Sequence, residues 1–188
     1  VKGSCQLLRE EVPEGRARSR LDAAVAESTR MERLLGLLLD FARPPEPQVD
    51  TVVVLEALTE AARRDPRLRA TSVPPDARAY VDPEHLQQIL SNLVDNALAA
   101  APGDDPVELD ASVQGGEITV VVADRGPGPG DDPEQLFQPY FSRRVDGTGL
   151  GLPIARTLAE ANRGRLRLRA RPGGGCEAIL TLPATEPR

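Results

Sequence analysis

Between Leu21 and Phe41 the apolar residues Val25, Leu34, Leu35, Leu38 and Phe41 recur at helical spacing with Arg and Glu between them, which predicts a long amphipathic helix. Val1 to Glu11 also reads as helix, and Val12-Pro-Glu-Gly15 supplies a break between the two. Two helices joined by so short a turn form an antiparallel hairpin. Its apolar stripe is covered either by a second copy, giving a dimeric four-helix bundle, or by packing on the next domain. Arg43-Pro-Pro-Glu-Pro-Gln48 ends the second helix, because consecutive prolines lack amide donors and hold the backbone extended. The expected organisation is a helical hairpin over 1–43, a proline-rich linker over 44–48 and a second domain over 49–185.

In that second domain the pattern predicts a helix near Val53 to Arg63, then an irregular segment rich in Pro and Arg, then a short strand near Ala77 to Val81. Asp82-Pro83 reads as an N-cap with proline at the first helical position, opening a helix that runs to about Ala101. Val107 to Val113 and Glu117 to Ala123 are β-rich runs around Gln-Gly-Gly, a hairpin signature. The glycine-rich stretch Gly126 to Gly151 leads into a helix through Ala161. A final hairpin pairs Arg165 to Ala170 with Cys176 to Leu182 and turns at Pro172-Gly-Gly-Gly175. This is an α+β pattern, a mixed sheet with helices grouped on one face. The alternation of Arg with Leu or Ala from Arg163 to Arg171 reads as a strand with one solvated face.

Composition narrows this picture. The chain has 188 residues, 40% hydrophobic and 28% charged, a balance that folds. Aromatic residues are only 3%, with no Trp, so Leu, Val, Ile and Ala must build the core. A net charge of -6 argues against a nucleic-acid binder that works through general attraction to phosphate. Cys5 and Cys176 lie near opposite ends with no metal-type spacing, so neither a disulfide framework nor a zinc site is indicated and a cytoplasmic location is the natural expectation. No apolar run approaches the roughly 20 residues that span a bilayer. The chain starts at Val1, inside a predicted helix and without Met; the expectation is a fragment of a longer protein, with any membrane anchor upstream.

Four pieces converge on nucleotide chemistry. Asn92-Leu-Val-Asp-Asn96-Ala97 puts two carboxamides four residues apart, on one helical face. Amide oxygens are hard, neutral ligands, suited to a magnesium ion that already carries phosphate oxygens. Asp124-Arg-Gly-Pro-Gly128-Pro-Gly130 ends a strand; its carboxylate can accept from an exocyclic amine while Gly126, Gly128 and Gly130 let backbone approach a flat base. Gly147-Thr148-Gly149-Leu150-Gly151 opens a helix, where outward-pointing amides favour phosphate. Leu136-Phe-Gln-Pro-Tyr140-Phe141 holds three of the chain's five aromatics and suggests a hydrophobic anchor for a loop between the glycine clusters.

Taken in this order, the motifs resemble the N, first glycine, F and second glycine boxes of the catalytic domain of bacterial two-component sensor histidine kinases, of the GHKL superfamily, and the chain resembles the nitrogen-regulation sensor kinase group among them. The resemblance covers about residues 49 to 183 and implies a Bergerat-type α/β sandwich that binds ATP and Mg2+. It makes Asn96 the magnesium ligand, sets Asn92 near the phosphates and gives Asp124 the adenine amino group. It further implies that Gly126 and Gly128 shape the base pocket, and that Gly147, Gly149 and Gly151 hold the phosphate end of a lid, with Thr148, Leu150 or nearby amides touching phosphate. Family members often carry Lys after the aromatic box; here Arg143 and Arg144 stand there, to clamp phosphate or to remain solvated. The hydrolysing relatives place a general-base Glu where this chain has Asn92, so the resemblance favours phosphoryl transfer over hydrolysis.

The stem is similar to the family's dimerising hairpin, which implies a homodimer and a response regulator receiver domain as partner. The family's His-Glu-x-x-Asn-Pro acceptor motif is absent from the chain and is expected upstream of Val1. The only histidine, His85, has the wrong neighbours for an acceptor and is expected to be a partly exposed helix residue near the pocket. A serine kinase of the anti-sigma type and a nucleotide-binding scaffold are the rival readings; the stem and linker argue against the first.

Overall fold

The structure, a computed structural model, describes residues 15–42, 46–143 and 147–184, and for 30–42 the backbone alone. Two compact units divide the chain, Val1–Arg43 and Pro44–Arg188. In the first, helix α1 spans Arg16–Ala42. It starts five residues before the apolar periodicity predicts, directly after Gly15, whose carbonyl accepts the Ser19 amide at 3.1 Å. The predicted helix over Val1 to Glu11 and the junction Arg43 to Pro45 lie outside the described residues, as does most of the turn between the helices.

The second unit runs β1 (Asp50–Val53), α2 (Val54–Ala62), β2 (Leu68–Ser72), β3 (Arg78–Val81), α3 (Pro83–Ala100), β4 (Val107–Gln114), β5 (Glu117–Ala123), a 3-10 turn (Pro133–Phe137), α4 (Gly151–Ala161), β6 (Arg165–Ala170) and β7 (Cys176–Pro183). β1 and β3 form a two-stranded antiparallel sheet, and a five-stranded sheet has the order β2-β4-β5-β7-β6. The sheet is mixed because β2 pairs parallel with β4 while its other pairs are antiparallel. Alternate positions Leu109, Ala111, Ile118, Val120, Val122, Leu166, Leu180 and Leu182 are buried, as are Leu58, Leu86, Ile89, Leu93, Ile154 and Leu158 on the helices. Aliphatic side chains build this core, as the shortage of aromatics requires.

Two strands depart from the expected pattern. β1 was hidden because its last residue, Val53, runs straight into α2, so the apolar stretch reads as one helix. β2 occupies the segment expected to be irregular. Only Leu68 of its five residues is buried, so it carries no period-two signal, and its register slips between Ala70 and Ser72. β6 behaves as its alternation implies, with Arg165, Arg167 and Arg169 exposed and Leu166 buried. Among the described residues no helix is long and apolar enough to cross a membrane.

Candidate nucleotide site

Helix α3 is positioned at its start by Asp82, whose carboxylate accepts from the Glu84 and His85 amides at 2.9 and 3.1 Å, with Pro83 in the first turn. Leu86, Ile89, Leu90, Leu93, Val94 and Ala97 bury one side of the helix, which leaves Asn92 half-buried and Asn96 exposed on its margin. The Asn92 Nδ2 atom is buried without a hydrogen-bond partner among the described residues, a state that costs about 1–3 kcal/mol unless a ligand or water fills it. The start of α4 meets this pair: a Cβ added to Gly151 would lie 3.4 Å from Asn92 Oδ1 and 3.8 Å from Asn96 Nδ2. Two carboxamides and the amide-rich end of a helix thus share one corner.

Strand β5 delivers Asp124, 5% exposed. Its Oδ1 accepts from Gly126 N at 2.7 Å and from Cys176 N at 3.3 Å. Burial raises the Asp124 pKa, and the two amides and the Arg171 charge offset this only in part. Gly126 admits no side chain, since its Cβ would stand 2.5 Å from the Ala100 carbonyl oxygen, and so the loop closes onto the C-terminal end of α3. Gly128 and Gly130 take φ values of 78° and 83°, which glycine adopts without penalty.

Gly147, Thr148, Gly149, Leu150 and Gly151 bring α4 to this corner. Thr148 is exposed and its Oγ1 accepts from Leu150 N at 3.3 Å. Gly149 O accepts from Tyr140 N at 3.0 Å, and a Cβ on Gly149 would reach 2.5 Å from the Tyr140 carbonyl carbon. Leu150 is 2% exposed, so its side chain anchors the stretch in the core. In the aromatic segment Phe137 is buried, whereas Tyr140 is exposed. The anchor is therefore Phe137, held by the Arg156 guanidinium 3.2 Å from its ring centroid. Arg156 in turn grips Glu134 through two bonds of 2.7 and 3.0 Å.

Arg143 is exposed. Its guanidinium donates to the Gly128 and Pro129 carbonyls at 3.2 and 2.8 Å and staples the first glycine loop. Arg144 lies outside the described residues. His85 departs from expectation: at 4% exposed it is buried, because the α4 terminus packs over it and Asn162 Nδ2 stands 3.0 Å from its Nδ1.

One part of the site escaped the sequence. The β6–β7 turn, read there only as a hairpin, closes over Asp124. Gly175, with φ 108°, leaves no room for a Cβ against the Asp124 carbonyl. Arg171 pairs with Glu108 and reaches the same carbonyl at 3.5 Å. The Cys176 thiol, pushed up to about 12 by burial and by the Asp124 and Glu177 charges, is neutral beside the carboxylate. The triple glycine at 173–175 was the available signal, since three in a row exceed what a two-strand turn needs.

The chain is similar to known proteins over most of its length. A family model for histidine kinase-, DNA gyrase B- and HSP90-like ATPases matches residues 81–186. A sensor histidine kinase ZraS of Klebsiella oxytoca is 31% identical over 194 aligned positions, taking in 97% of this chain and 42% of the relative. A sensor-like histidine kinase SenX3 of Mycolicibacterium smegmatis is 34% identical over 178 positions, 85% of this chain and 46% of the relative. The chain thus spans less than half the length of these curated relatives. Among solved structures, full-length ShkA in complex with AMPPNP superposes with a TM-score of 0.85 at 29% identity, covering 97% of this chain and 42% of that one. With the matched residues running from the end of β3 through β7, the chain belongs to the family of histidine kinase-, DNA gyrase B- and HSP90-like ATPases.

Proposed function

We propose that residues 49–185 form the Mg-ATP-binding catalytic domain of a sensor histidine kinase, joined by the linker 44–48 to a partial dimerising stem, 1–43. In this reading the stem forms a homodimer. The γ-phosphoryl passes to a histidine on a stem segment preceding this chain, and then to an Asp of a response regulator receiver domain. In the first step the bond from the γ-phosphorus to the β-bridging oxygen breaks as a bond to the imidazole nitrogen forms, and ADP leaves.

The observation that carries the proposal is the meeting of Asn92, Asn96 and the start of α4 at Gly151. The Asn96 carboxamide oxygen suits a magnesium ion, and the unpartnered Asn92 Nδ2 suits a phosphate oxygen. When bound, magnesium neutralises phosphate charge and orients the transferring group. The amides at the start of α4 face the phosphates, with Gly147, Thr148, Gly149 and Leu150 contributing backbone. Asp124 accepts from the adenine amine, with Gly126, Gly128 and Gly130 around the base. Arg143 and Arg144 are the candidates to move onto phosphate once nucleotide is seated. Asn92 is a carboxamide with no basic lone pair at pH 7, so it cannot serve as a general base for water, which favours transfer over hydrolysis. The relative solved with AMPPNP, ShkA, supports the nucleotide class.

The test mixes this chain with γ-labelled ATP, magnesium and a separate stem polypeptide that carries the acceptor motif. Acid-labile, base-stable label on the stem is expected, reduced about 10- to 100-fold by Asn96→Ala, the range for losing a hydrogen bond or ligand to a charged group. Nucleotide binding without label on any histidine-containing stem would replace the kinase reading with that of a nucleotide-regulated scaffold.

A further inference from the structure

The described core holds four buried polar or charged residues, Asp82, His85, Asp124 and Asn162. Asp124 belongs to the nucleotide site, while the other three form one cluster elsewhere. Asn162 caps the C-terminal end of α4, and its Oδ1 accepts from Asp82 N at 2.8 Å. That contact fixes the amide orientation, because a backbone N–H only donates. Nδ2 therefore faces the Leu158 carbonyl at 2.7 Å and His85 Nδ1 at 3.0 Å. With one amide hydrogen for each, His85 Nδ1 accepts the second. Asp82 divides its carboxylate: Oδ1 caps α3, and Oδ2 accepts the Gln48 amide at 2.6 Å. Gln48 is the last residue of the proline-rich segment that enters this unit.

The placement of this cluster gives it a role. α3 and α4 lie antiparallel, since His85 near the start of α3 meets Asn162 at the end of α4, whereas Asn92 and Asn96 further along α3 meet Gly151 at the start of α4. The two meeting points are separated along α3 by the 11 residues from His85 to Asn96, about 16 Å at 1.5 Å per residue. A ligand that draws Asn92, Asn96 and Gly151 together shifts one helix along the other. Packed helices respond to such shear as rigid bodies, so the displacement reaches the far end. There it meets a cluster of short, directional hydrogen bonds that is either made or broken.

We infer that Asp82, His85 and Asn162 are positioning residues that couple nucleotide occupancy to attachment of the linker at Gln48. This rests on the reading of the site as a nucleotide site. The latched arrangement keeps α3 and α4 in the register the nucleotide needs and holds the Gln48 amide on Asp82. The unlatched arrangement releases both. Because the coupling is thermodynamic, the factor by which nucleotide tightens the latch equals the factor by which the latch tightens nucleotide binding.

Residue-resolved amide exchange on the whole chain, with and without AMPPNP and magnesium, reads both sides. Saturating nucleotide is expected to slow exchange at Gln48 by about 5- to 150-fold, the usual span of coupling between sites. Asp82→Asn keeps an oxygen to cap α3, since Asn caps as well as Asp, but turns the second carboxylate oxygen into a donor that cannot accept from Gln48. In that variant Gln48 should exchange fast whether or not nucleotide is present, and AMPPNP affinity should fall by the same factor as the wild-type slowing. His85→Asn places a carboxamide oxygen where Nδ1 accepts and is expected to keep the nucleotide response, whereas His85→Leu should lose it. AMPPNP that binds normally yet leaves Gln48 exchange unchanged overturns the latch alone, as does a wild-type response in His85→Leu. Failure of AMPPNP to bind at all overturns the nucleotide reading and the latch with it.

Discussion

Asp124 sits at the end of β5 with its carboxyl pKa raised by burial, against the pull of the Gly126 and Cys176 amides and of Arg171. A structural role alone would be met by Asn, whose Oδ1 accepts the same two amides without a charge to bury. In the proposed reading the carboxylate serves as an acceptor for a ligand donor, which an Asn Nδ2 would oppose. Asp124→Asn is therefore expected to weaken ATP binding about 10- to 100-fold, equivalent to about 1.4–2.7 kcal/mol, as titration calorimetry would measure. In the wild type, the raised pKa means that affinity starts to fall on acidification at a higher pH than an ordinary carboxylate near 3.9 would cause. An Asp124→Asn variant with full affinity would remove this residue from the base pocket.

Among the elements, α3 carries most of the design. Its start is capped by Asp82, its middle presents Asn92 and Asn96, and its end receives the first glycine loop, where Gly126 lies against the Ala100 carbonyl. In Gly126→Ala the new methyl would sit 2.5 Å from that oxygen, and two backbone segments would have to separate. A cost of about 1–3 kcal/mol follows from overpacking, together with weaker nucleotide binding as the loop moves off Asp124. Urea unfolding and a binding titration would read the two effects; an unchanged midpoint would mean that the loop gives way freely. The start of α3 and the turn residues were readable in advance because caps and glycine turns act over three or four residues. β2 was not, since four of its five residues are exposed and its pairing with β4 joins positions about 40 apart.

For the molecule as a whole, two buried carboxyls push stability in opposite directions with pH. Burial works against the Asp82 charge too, but bonds from the Gln48, His85 and Glu84 amides more than offset it and leave its pKa lowered. A lowered folded pKa contributes stability above the unfolded value near 3.9, lost as pH falls through the folded one. Asp124, with its raised pKa, does the reverse: its contribution is complete below about 3.9 and is lost as pH rises through the folded value. Asp124→Asn should thus raise the melting temperature at pH 7 and leave it unchanged below pH ~4, where wild-type Asp124 is already neutral. Asp82→Asn should lower it at pH 7, and that deficit should shrink in acid. Calorimetric melts of both variants across pH would check the crossing, and parallel curves would contradict it.

Local physics reached a long way in this chain. Helical periodicity, the Asp82-Pro83 cap, the Gln-Gly-Gly hairpin and the positions of the glycine loops follow from interactions between residues near in sequence, so they could be read without coordinates. The order of the motifs was enough to suggest the family. What needed the folded chain was every relation across it: the parallel β2–β4 pair, the Gly175 turn closing on Asp124, Arg143 bonded to the first glycine loop, and His85 buried against Asn162. These depend on which surfaces meet when α3 and α4 pack antiparallel, and no short-range preference encodes that.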